Sequence, residues 1–261
     1  SANVLKFNCS GGTIQIVDPA ASTSTGVASL AYQASGGNVV FGPNHTVKFG
    51  DGISTLASGS TNGFLINTRV GTGYLAFGNF IVDILTGTNR LVINAGATIM
   101  IAKNLTVTSG EYRQNCDTYI WGDLSNEGTY WINAGTIYFS NYVNGLYTAS
   151  TIAQTISGNG LFRTTANTHN FGSIGFNNTS AGGVTFANAN TLKSSVSYQG
   201  TASGWLTITN GVIHTGANTF LHTQPNAVSY AAGGFGSGST YARFYPTGSY
   251  TAMTISSGII P

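Results

Sequence analysis

The chain has 261 residues, and its 6% of charged residues lies far below the roughly 25% of ordinary soluble domains. Its 9 Lys and Arg are scattered singly, which excludes a nucleic-acid-binding protein because no basic run could neutralise a row of phosphates. Hydrophobic residues make up 41%, which excludes a disordered chain, and no apolar run approaches the roughly 18 residues of a membrane-spanning helix.

Short β-type runs bounded by Gly and Asn follow one another along the chain, about two dozen in all. Apolar residues rarely recur at the i, i+3, i+4 spacing of an amphipathic helix, so we predict an all-β fold. In chain order, the clearest runs are 13–17, 38–42, 46–50, 63–67, 90–94, 98–102, 105–109, 129–133, 136–140, 183–187, 195–199, 205–209 and 219–223.

A strand, then Asn with a small residue, then a second strand occurs at 90–104, 129–141 and 205–218. The first two copies share Ile-Asn-Ala-Gly, at 93–96 and 132–135, an offset of 39 residues. Asn and Gly tolerate the left-handed conformation, so we expect Asn-Ala-Gly at a corner. The repeat predicts a β-solenoid with coils of about 20 residues, two per period. A β-sandwich or jelly roll is the alternative, although its crossovers need longer connections.

We expect residues 1–261 to form a single all-β solenoid domain, because no charge-rich or Pro-rich linker divides the chain. The segment 229–261 is richer in Gly, Tyr and Pro, and we expect it to be a terminal cap or a small appended β module. Within it, 233–240 lacks the Lys and the following helix of a phosphate-binding loop.

Three stretches carry a resemblance to a known group: "GDLSNEGTYWINAGTIYFSN" (122–141), "TIAQTISGNGLFRTTANTHNFGSIGFNN" (151–178) and 183–223. Their succession resembles the repetitive β-solenoid regions of large secreted, adhesin-like surface proteins of Bacteroidetes-type bacteria. The resemblance covers about 90 to 248. It implies an extracellular structural or adhesive role and names no active site; a fibre-forming or sheath-forming subunit would look similar.

The residues indicate no catalytic site, metal site or cofactor. Four of the seven acids fall close together, at Glu111, Asp117, Asp123 and Glu127. Paired carboxylates could hydrolyse a polysaccharide, but Arg113 is the only nearby base, and we interpret the four acids as solvated turn residues. His214 and His222 could meet on adjacent coils but lack a third zinc ligand. We therefore predict that the protein is not an enzyme.

Aromatic residues concentrate between 119 and 147, and Tyr119, Trp121, Tyr130 and Trp131 are the contact candidates. Exposed aromatic rings can stack on sugar rings or on a neighbouring subunit. The alternative is in-register stacking along the coils. Strand alternation puts Tyr130 and Trp131 on opposite faces, so both interpretations can hold together. Surface glycans are therefore one expected partner.

Two residue sets concern covalent chemistry. Cys9 and Cys116 lie 107 residues apart, which excludes a CxxC motif. An intrachain disulfide, a bond between subunits and two buried free thiols stay open. Sequons for glycosylation, most of them expected by chance in an Asn- and Thr-rich chain, begin at Asn8, Asn44, Asn104, Asn177 and Asn178.

Low charge favours self-association, and a solenoid has open strand edges at its ends. The apolar-alternating strand 2–8, with Val4, Leu5 and Phe7, is expected to pair with the edge of the next subunit. Such head-to-tail contacts build filaments. We therefore expect a secreted, extracellular or cell-surface structural protein, the subunit of a homopolymeric fibre or sheath or a segment of an adhesin. The alternatives are a carbohydrate-binding or carbohydrate-active β-helix and, from the Thr-rich segment 148–157, an ice-binding protein.

Overall fold

The computed structural model of the chain describes residues 11–17, 30–32, 39–54, 64–68, 74–85, 90–93, 99–143, 146–164, 172–188, 192–194, 197–198, 201–202, 206–222, 228–244 and 250–254. These residues form strands and turns without a helix, so the all-β prediction is confirmed. Within these ranges, therefore, no helix has the length and apolar character to cross a membrane. The strands are β1 (Gly11–Ile16), β2 (Leu30–Tyr32), β3 (Val39–Val40), β4 (Asn44–Phe49), β5 (Phe64–Thr68), β6 (Tyr74–Asp83), β7 (Arg90–Ile93), β8 (Ile99–Ser109), β9 (Glu111–Asn115), β10 (Asp117–Ile120), β11 (Leu124–Asn126), β12 (Thr129–Ala134), β13 (Ile137–Phe139), β14 (Asn141–Val143), β15 (Leu146–Thr148), β16 (Gln154–Ser157), β17 (Leu161–Thr164), β18 (Ile174–Asn177), β19 (Val184–Phe186), β20 (Leu192–Ser194), β21 (Ser197–Tyr198), β22 (Thr201–Ala202), β23 (Leu206–His214), β24 (Thr219–His222), β25 (Val228–Phe235), β26 (Thr240–Phe244) and β27 (Tyr250–Thr254).

Parallel pairing joins most strands into three ladders. The first ladder runs in the order β3, β6, β8, β10, β13, β18, β23, β25. The second runs in the order β1, β4, β6, β8, β11, β16, β19, β23, β25. The third runs in the order β2, β5, β7, β9, β12, β17. A separate sheet pairs β20, β24 and β26 in parallel and ends with the antiparallel strand β27.

Eight strands of the first and second ladders form a closed circuit of parallel pairs, in the order β8, β10, β13, β18, β23, β19, β16, β11. The circuit closes because β8 and β23 take part in both ladders. In β8, residues 99–102 pair with β10, whereas 105–107 pair with β11. Among the described strands, antiparallel pairs occur only at β14–β15, β21–β22 and β26–β27. This arrangement differs from the antiparallel sheets of an immunoglobulin-type sandwich.

Strand alternation turns one side of every ladder towards a common core. Equivalent inward positions are filled by Met100, Thr118, Ile137, Ile174 and Leu206 in the first ladder, by Val47, Phe80, Leu105 and Leu124 in the second, and by Tyr112, Tyr130 and Phe162 in the third. All of them are almost completely buried. Each large apolar side chain contributes about 1.5–3 kcal/mol on burial. The inner rows therefore supply the main stabilisation of the fold.

The 39-residue offset corresponds to two successive pairings in the third ladder. Val92 pairs with Arg113, and Arg113 pairs with Trp131. The residues that follow, Ile93 and Ile132, therefore occupy equivalent positions two pairings apart. The offset noticed in the sequence is a repeat of the structure.

The corner prediction is confirmed at Gly135, which follows β12 with a φ of +79°. A Cβ at this position would lie 2.4 Å from the carbonyl carbon of Cys116, so both the conformation and the space require Gly. The equivalent residues 94–96 lie outside the described part of the chain. The alignment of the third copy is wrong, because Asn210 and Gly211 lie within β23, where it passes from the first ladder to the second. Several corners favour Asn and Gly, so this signal does not tell one corner from another.

Side-chain hydrogen bonds connect successive strands where the first ladder meets the second. Nδ2 of Asn79 donates to Oγ1 of Thr46 (3.3 Å), and Nδ2 of Asn104 donates to Oδ1 of Asn79 (2.9 Å). Oδ1 of Asn104 accepts from the backbone N–H of Asp123 (2.9 Å), and Oδ1 of Asp123 accepts from the N–H of Thr155 (2.8 Å). This chain of hydrogen bonds, in which Asp123 is the one charged member, fixes the register of the stacked strands.

Candidate functional site

Two tyrosines occupy equivalent outward positions on the first ladder. Tyr119 in β10 pairs with Tyr138 in β13, and their rings stack with centroids 4.6 Å apart and 10° between the planes. The next position in the ladder is Gly175. A Cβ there would lie 2.4 Å from Cδ1 of Tyr138, so the absence of a side chain leaves room for the ring.

A hairpin interrupts the ladders beside this pair. β14 and β15 are inserted between β13 and β16 and pair only with each other among the described strands. The ring of Tyr142 lies 4.8 Å from that of Tyr119, and the ring of Tyr147 lies 5.5 Å from that of Tyr138. The hairpin therefore folds over the outer face of the first ladder and leaves Tyr119 only 7% exposed.

A cleft of about 290 Å³ lies between the hairpin and the outer face of the first ladder. Its lining includes Val40, Phe41, Tyr74, Trp121, Asn141 and Tyr142. The rings of Tyr74 and Tyr142 meet edge to face, with centroids 5.7 Å apart and 75° between the planes. Beside the cleft, the ammonium group of Lys103 lies 5.6 Å from the ring centroid of Trp121. Residues from three ladder strands, from neighbouring turns and from the hairpin therefore converge on one aromatic-walled space.

The site is uncharged at neutral pH apart from Lys103. Among the described residues that line the cleft there is no Asp, Glu, Lys or Arg. Burial raises the pKa of Tyr119, Tyr138 and Tyr147, so their phenols stay protonated and act as neutral hydrogen-bonding groups. The cleft can therefore hold an uncharged ring.

A second outward aromatic site lies on the third ladder. The guanidinium carbons of Arg113 and Arg163 lie 3.6 and 4.1 Å from the ring centroid of Trp131, one on each neighbouring strand. Nη2 of Arg113 also lies 3.8 Å from a carboxylate oxygen of Glu111. The register thus places a cation–π contact on either side of the indole. Its faces are occupied by residues of the same chain.

The structure separates the four aromatic contact candidates. Trp121 lines the cleft, Tyr119 lies beneath the hairpin, and Trp131 lies between two arginines. The contact prediction is wrong for Tyr130, which is fully buried and donates its hydroxyl to Oε1 of Gln114 (2.7 Å). The alternation of Tyr130 and Trp131 across the strand is confirmed.

The acids take structural hydrogen bonds. Asp117 lies within β10 and accepts from the N–H of Thr136 (2.8 Å), so its interpretation as a solvated turn residue is wrong. Burial raises its pKa. Glu127 accepts from the N–H of Asn159 (3.1 Å). Within the described ranges, His, Cys, Asp and Glu form no group of three or more that could hold a metal ion.

Cys116 is a buried free thiol, and burial raises its pKa to about 12. Three of the sequon asparagines are engaged in the fold. Asn104 belongs to the chain of hydrogen bonds above, Asn177 accepts from Nδ2 of Asn210 (2.8 Å), and Asn178 donates to the backbone oxygen of Ile152 (2.8 Å). Asn177 and Asn178 are also buried, so a glycan there would disrupt the packing. Asn44 is exposed at the start of β4.

Several predicted residues lie outside the described part of the chain: Val4, Leu5, Phe7, Asn8 and Cys9. The assembly strand and the first sequon therefore stay predictions. The predicted intrachain disulfide is wrong, because Cys116 is a free thiol, and a bond from Cys9 to another subunit stays a prediction. In the segment 148–157, Ser150 and Gln154 are buried, so it does not present a continuous outward row of hydroxyl groups.

Comparison with family models, curated proteins and solved structures finds no match for this chain. The cleft is the feature that the sequence predictions miss, although one signal points to its hairpin. Asn144 and Gly145 stand between Tyr-Val and Leu-Tyr, a sequence typical of a two-residue β-hairpin turn.

Proposed function

We propose that the chain is a β-solenoid and serves as a non-enzymatic building block of an extracellular fibre or sheath. The solenoid is supported by the order in which the chain visits the ladders. β8 belongs to the first and second ladders and β9 to the third, and β10, β11 and β12 then visit the three in the same order. Each strand finds its parallel partner one pass earlier or later, as in stacked coils. On this interpretation, the closed circuit of strands consists of two adjacent faces of one stack.

The observation that carries the assembly proposal concerns the two ends of the second ladder. β1 pairs with β4, and β25 pairs with β23; neither has a second partner among the described strands. Ile14 and Ile16 of β1 are only partly buried against the core. A parallel strand from a second copy would pair with the outward backbone groups of both edges and cover these side chains. Because one end of a copy meets the opposite end of the next, the contact builds a filament.

The rest of the molecule is consistent with such an assembly. The separate sheet ends in the antiparallel strand β27. β25, in contrast, pairs in parallel with β23, so its open edge suits a parallel β1 strand of the next copy. The low charge of the chain reduces the repulsion between copies. The extracellular location is supported by the same composition and by the resemblance to secreted surface repeats.

Two substitutions test the two edges separately. The backbone N–H of Gly50, the residue after β4, donates to the backbone oxygen of Ile16, so the backbone groups of Ile16 face β4. Thr13 lies an odd number of positions away, so strand alternation directs its N–H to the open edge. Thr13→Pro removes that donor, and an edge strand tolerates Pro where the missing N–H faces outwards. Thr13→Val keeps the N–H and is the matched control.

The corresponding position on β25 is Val228. The N–H of Ile137 in β13 donates to the oxygen of Ser173, so strand alternation directs the backbone groups of Ile174 to β23, those of its partner Leu206 to β25, and the N–H of Val228 away from β23. Val228→Pro removes the outward donor at the first residue of the strand, where Pro is tolerated, and Val228→Ile keeps it.

Negative-stain electron microscopy of the purified proteins gives the result directly. We expect filaments from the unsubstituted chain and from both control variants, Thr13→Val and Val228→Ile, and monomers from both Pro variants. Removal of residues 1–8 should also give monomers if the strand 2–8 supplies the contact. A monomeric unsubstituted protein would overturn the assembly proposal and favour the adhesin segment.

A further inference from the structure

We propose that the cleft under the β14–β15 hairpin binds a single pyranose ring of a surface polysaccharide. This inference does not rest on filament formation. It assigns a ligand class to a site that the stacked strands alone do not require.

The first argument is the position of the hairpin. It interrupts the ladders between β13 and β16 and covers the outer face rather than the core. In repetitive folds, insertions between repeats collect on one face, which is often the binding face. The hairpin supplies Asn141 and Tyr142 to the cleft, while Tyr74 and Trp121 come from the strands and turns beneath.

The second argument is the shape of the walls. Tyr74 and Tyr142 meet edge to face and form a corner, and Trp121 adds another aromatic surface. The axial C–H groups of a pyranose form an apolar face that packs on such rings. The volume of about 290 Å³ lies just below the roughly 300–1,000 Å³ of ligand pockets, so the cleft accommodates one ring rather than an extended chain.

The third argument is the placement of polar groups. Oδ1 of Asn141 accepts from the N–H of Tyr142 (2.8 Å), which orients the side-chain amide and leaves its Nδ2 to donate to a ligand hydroxyl. The phenol of Tyr142 can donate or accept. Few directional groups on a mainly apolar lining suit a ligand with one apolar face and a hydroxylated rim.

The fourth argument is charge. The described part of the lining has no carboxylate, and Lys103 lies against Trp121 beside the cleft. The Lys103 ammonium group would repel an ammonium group on the ligand, whereas it would attract a carboxylate. Neutral hexoses and hexuronic acids should therefore bind better than amino sugars with a free amine.

The test uses the methyl glycosides of glucose, galactose, mannose, glucuronic acid and glucosamine. Saturation-transfer NMR and intrinsic Trp fluorescence measure binding to the full-length Thr13→Pro chain, which keeps assembly out of the readout. If that variant still forms filaments, the same titration is made on sonicated filaments. We expect at least one neutral or acidic glycoside to bind with a Kd of about 1 mM, because a single ring has few atoms to contribute. Methyl glucosaminide should bind at least fivefold more weakly than the tightest-binding neutral or acidic glycoside.

Variants locate the ligand. Trp121→Ala should weaken binding at least tenfold, and Ala76→Leu should do the same by filling the cleft from β6. Trp131→Ala removes the outward Trp of the third ladder and should leave binding unchanged. Circular dichroism shows which variants fold, and Ala76→Leu decides the outcome if Trp121→Ala does not fold.

Three results would overturn the proposal. The first is the absence of binding by all five glycosides up to 50 mM. The second is binding that survives Ala76→Leu. The third is binding of cyclohexanol, a purely apolar ring with one hydroxyl, in the absence of glycoside binding; this result would identify the cleft as a socket for an apolar side chain of another copy.

Discussion

Tyr119 and Tyr138 stack in parallel at equivalent positions of neighbouring strands, with ring centroids 4.6 Å apart. The pair connects the first ladder with the β14–β15 hairpin, because both rings also contact a tyrosine of that hairpin. The same rows of side chains that fix the register thus form the floor on which the hairpin rests.

Gly175 should be the most sensitive glycine beneath the hairpin. Gly175→Ala places a Cβ 2.4 Å from the Tyr138 ring, which is held by Tyr119 and Tyr147 and has little freedom to move. We expect a loss of about 1–3 kcal/mol in the free energy of unfolding, measured by urea denaturation. Gly11→Ala is the control, since its Cβ would meet nothing closer than 4.0 Å. Equal stability of the two variants would show that the hairpin is not packed as described.

The chain of side-chain hydrogen bonds through Asn104 should contribute to stability. Asn104→Ala removes a donor to Asn79 and an acceptor for the N–H of Asp123. We expect a loss of about 1–2 kcal/mol, because both partners lose a bond in a partly buried place. Asn44→Ala, at an exposed position of β4, should stay within about 0.5 kcal/mol of the unsubstituted chain. Thermal unfolding compares the two, and an Asn104 variant as stable as the Asn44 variant would contradict the structural role.

The fold should lose stability at alkaline pH. Burial raises the pKa of Tyr112 and Tyr130 well above the usual value, and it raises those of Tyr119 and Tyr138 as well. A raised pKa means that the folded chain holds its protons where the unfolded chain releases them. The stabilisation is complete below the unfolded value of about 10 and is lost as pH rises towards the folded value. Each such group lowers the unfolding free energy by about 1.4 kcal/mol per pH unit.

Urea midpoints between pH 7 and pH 11.5 measure this effect. We expect a constant midpoint to about pH 9 and a steep fall above about pH 10. Tyr138→Phe should reduce the slope, because one titrating group is removed. A midpoint that stays constant to pH 11.5 would contradict the burial of these phenols.

Cys116 should be unreactive in the folded protein. Its thiol is buried and its pKa is raised to about 12, so little thiolate is present at pH 8. In a Cys9→Ser variant, we expect no reaction with Ellman's reagent until guanidinium is added, and then one thiol per chain. In the unsubstituted protein, two thiols after denaturation without reductant would exclude the disulfide, whereas none would show that both cysteines are oxidised and contradict the free thiol at Cys116.

Much of the architecture could be predicted because it depends on local rules. Short alternating runs define strands, and the 39-residue match of Ile93 with Ile132 marks two real pairings of the third ladder. The corner at Gly135 could be predicted because Gly readily adopts a positive φ, here +79°. Asn210-Gly211 gives a false alignment for the same reason. These two residues lie where β23 passes from the first ladder to the second, and that change of direction also favours Asn and Gly.

The cleft could not be predicted, because it depends on which distant strands lie side by side. Tyr74 and Tyr142 are 68 positions apart in sequence and meet only because the hairpin folds back across several strands. Likewise, alternation assigned Tyr130 and Trp131 to opposite faces but did not say which face was inside. The register against Tyr112 and Phe162 buries Tyr130.

The proposed head-to-tail contact is tested most directly by mixing the two edge variants. Thr13→Pro blocks one end of the chain and Val228→Pro the other, so each protein alone has no complementary pair of ends. In an equimolar mixture, the open β25 edge of the first can pair with the open β1 edge of the second. Analytical ultracentrifugation should therefore show monomers in each separate sample and, in the mixture, a species of twice the 27.0 kDa chain mass that grows no further. A mixture that stays monomeric, or one that recovers long filaments, would contradict head-to-tail assembly through these two edges.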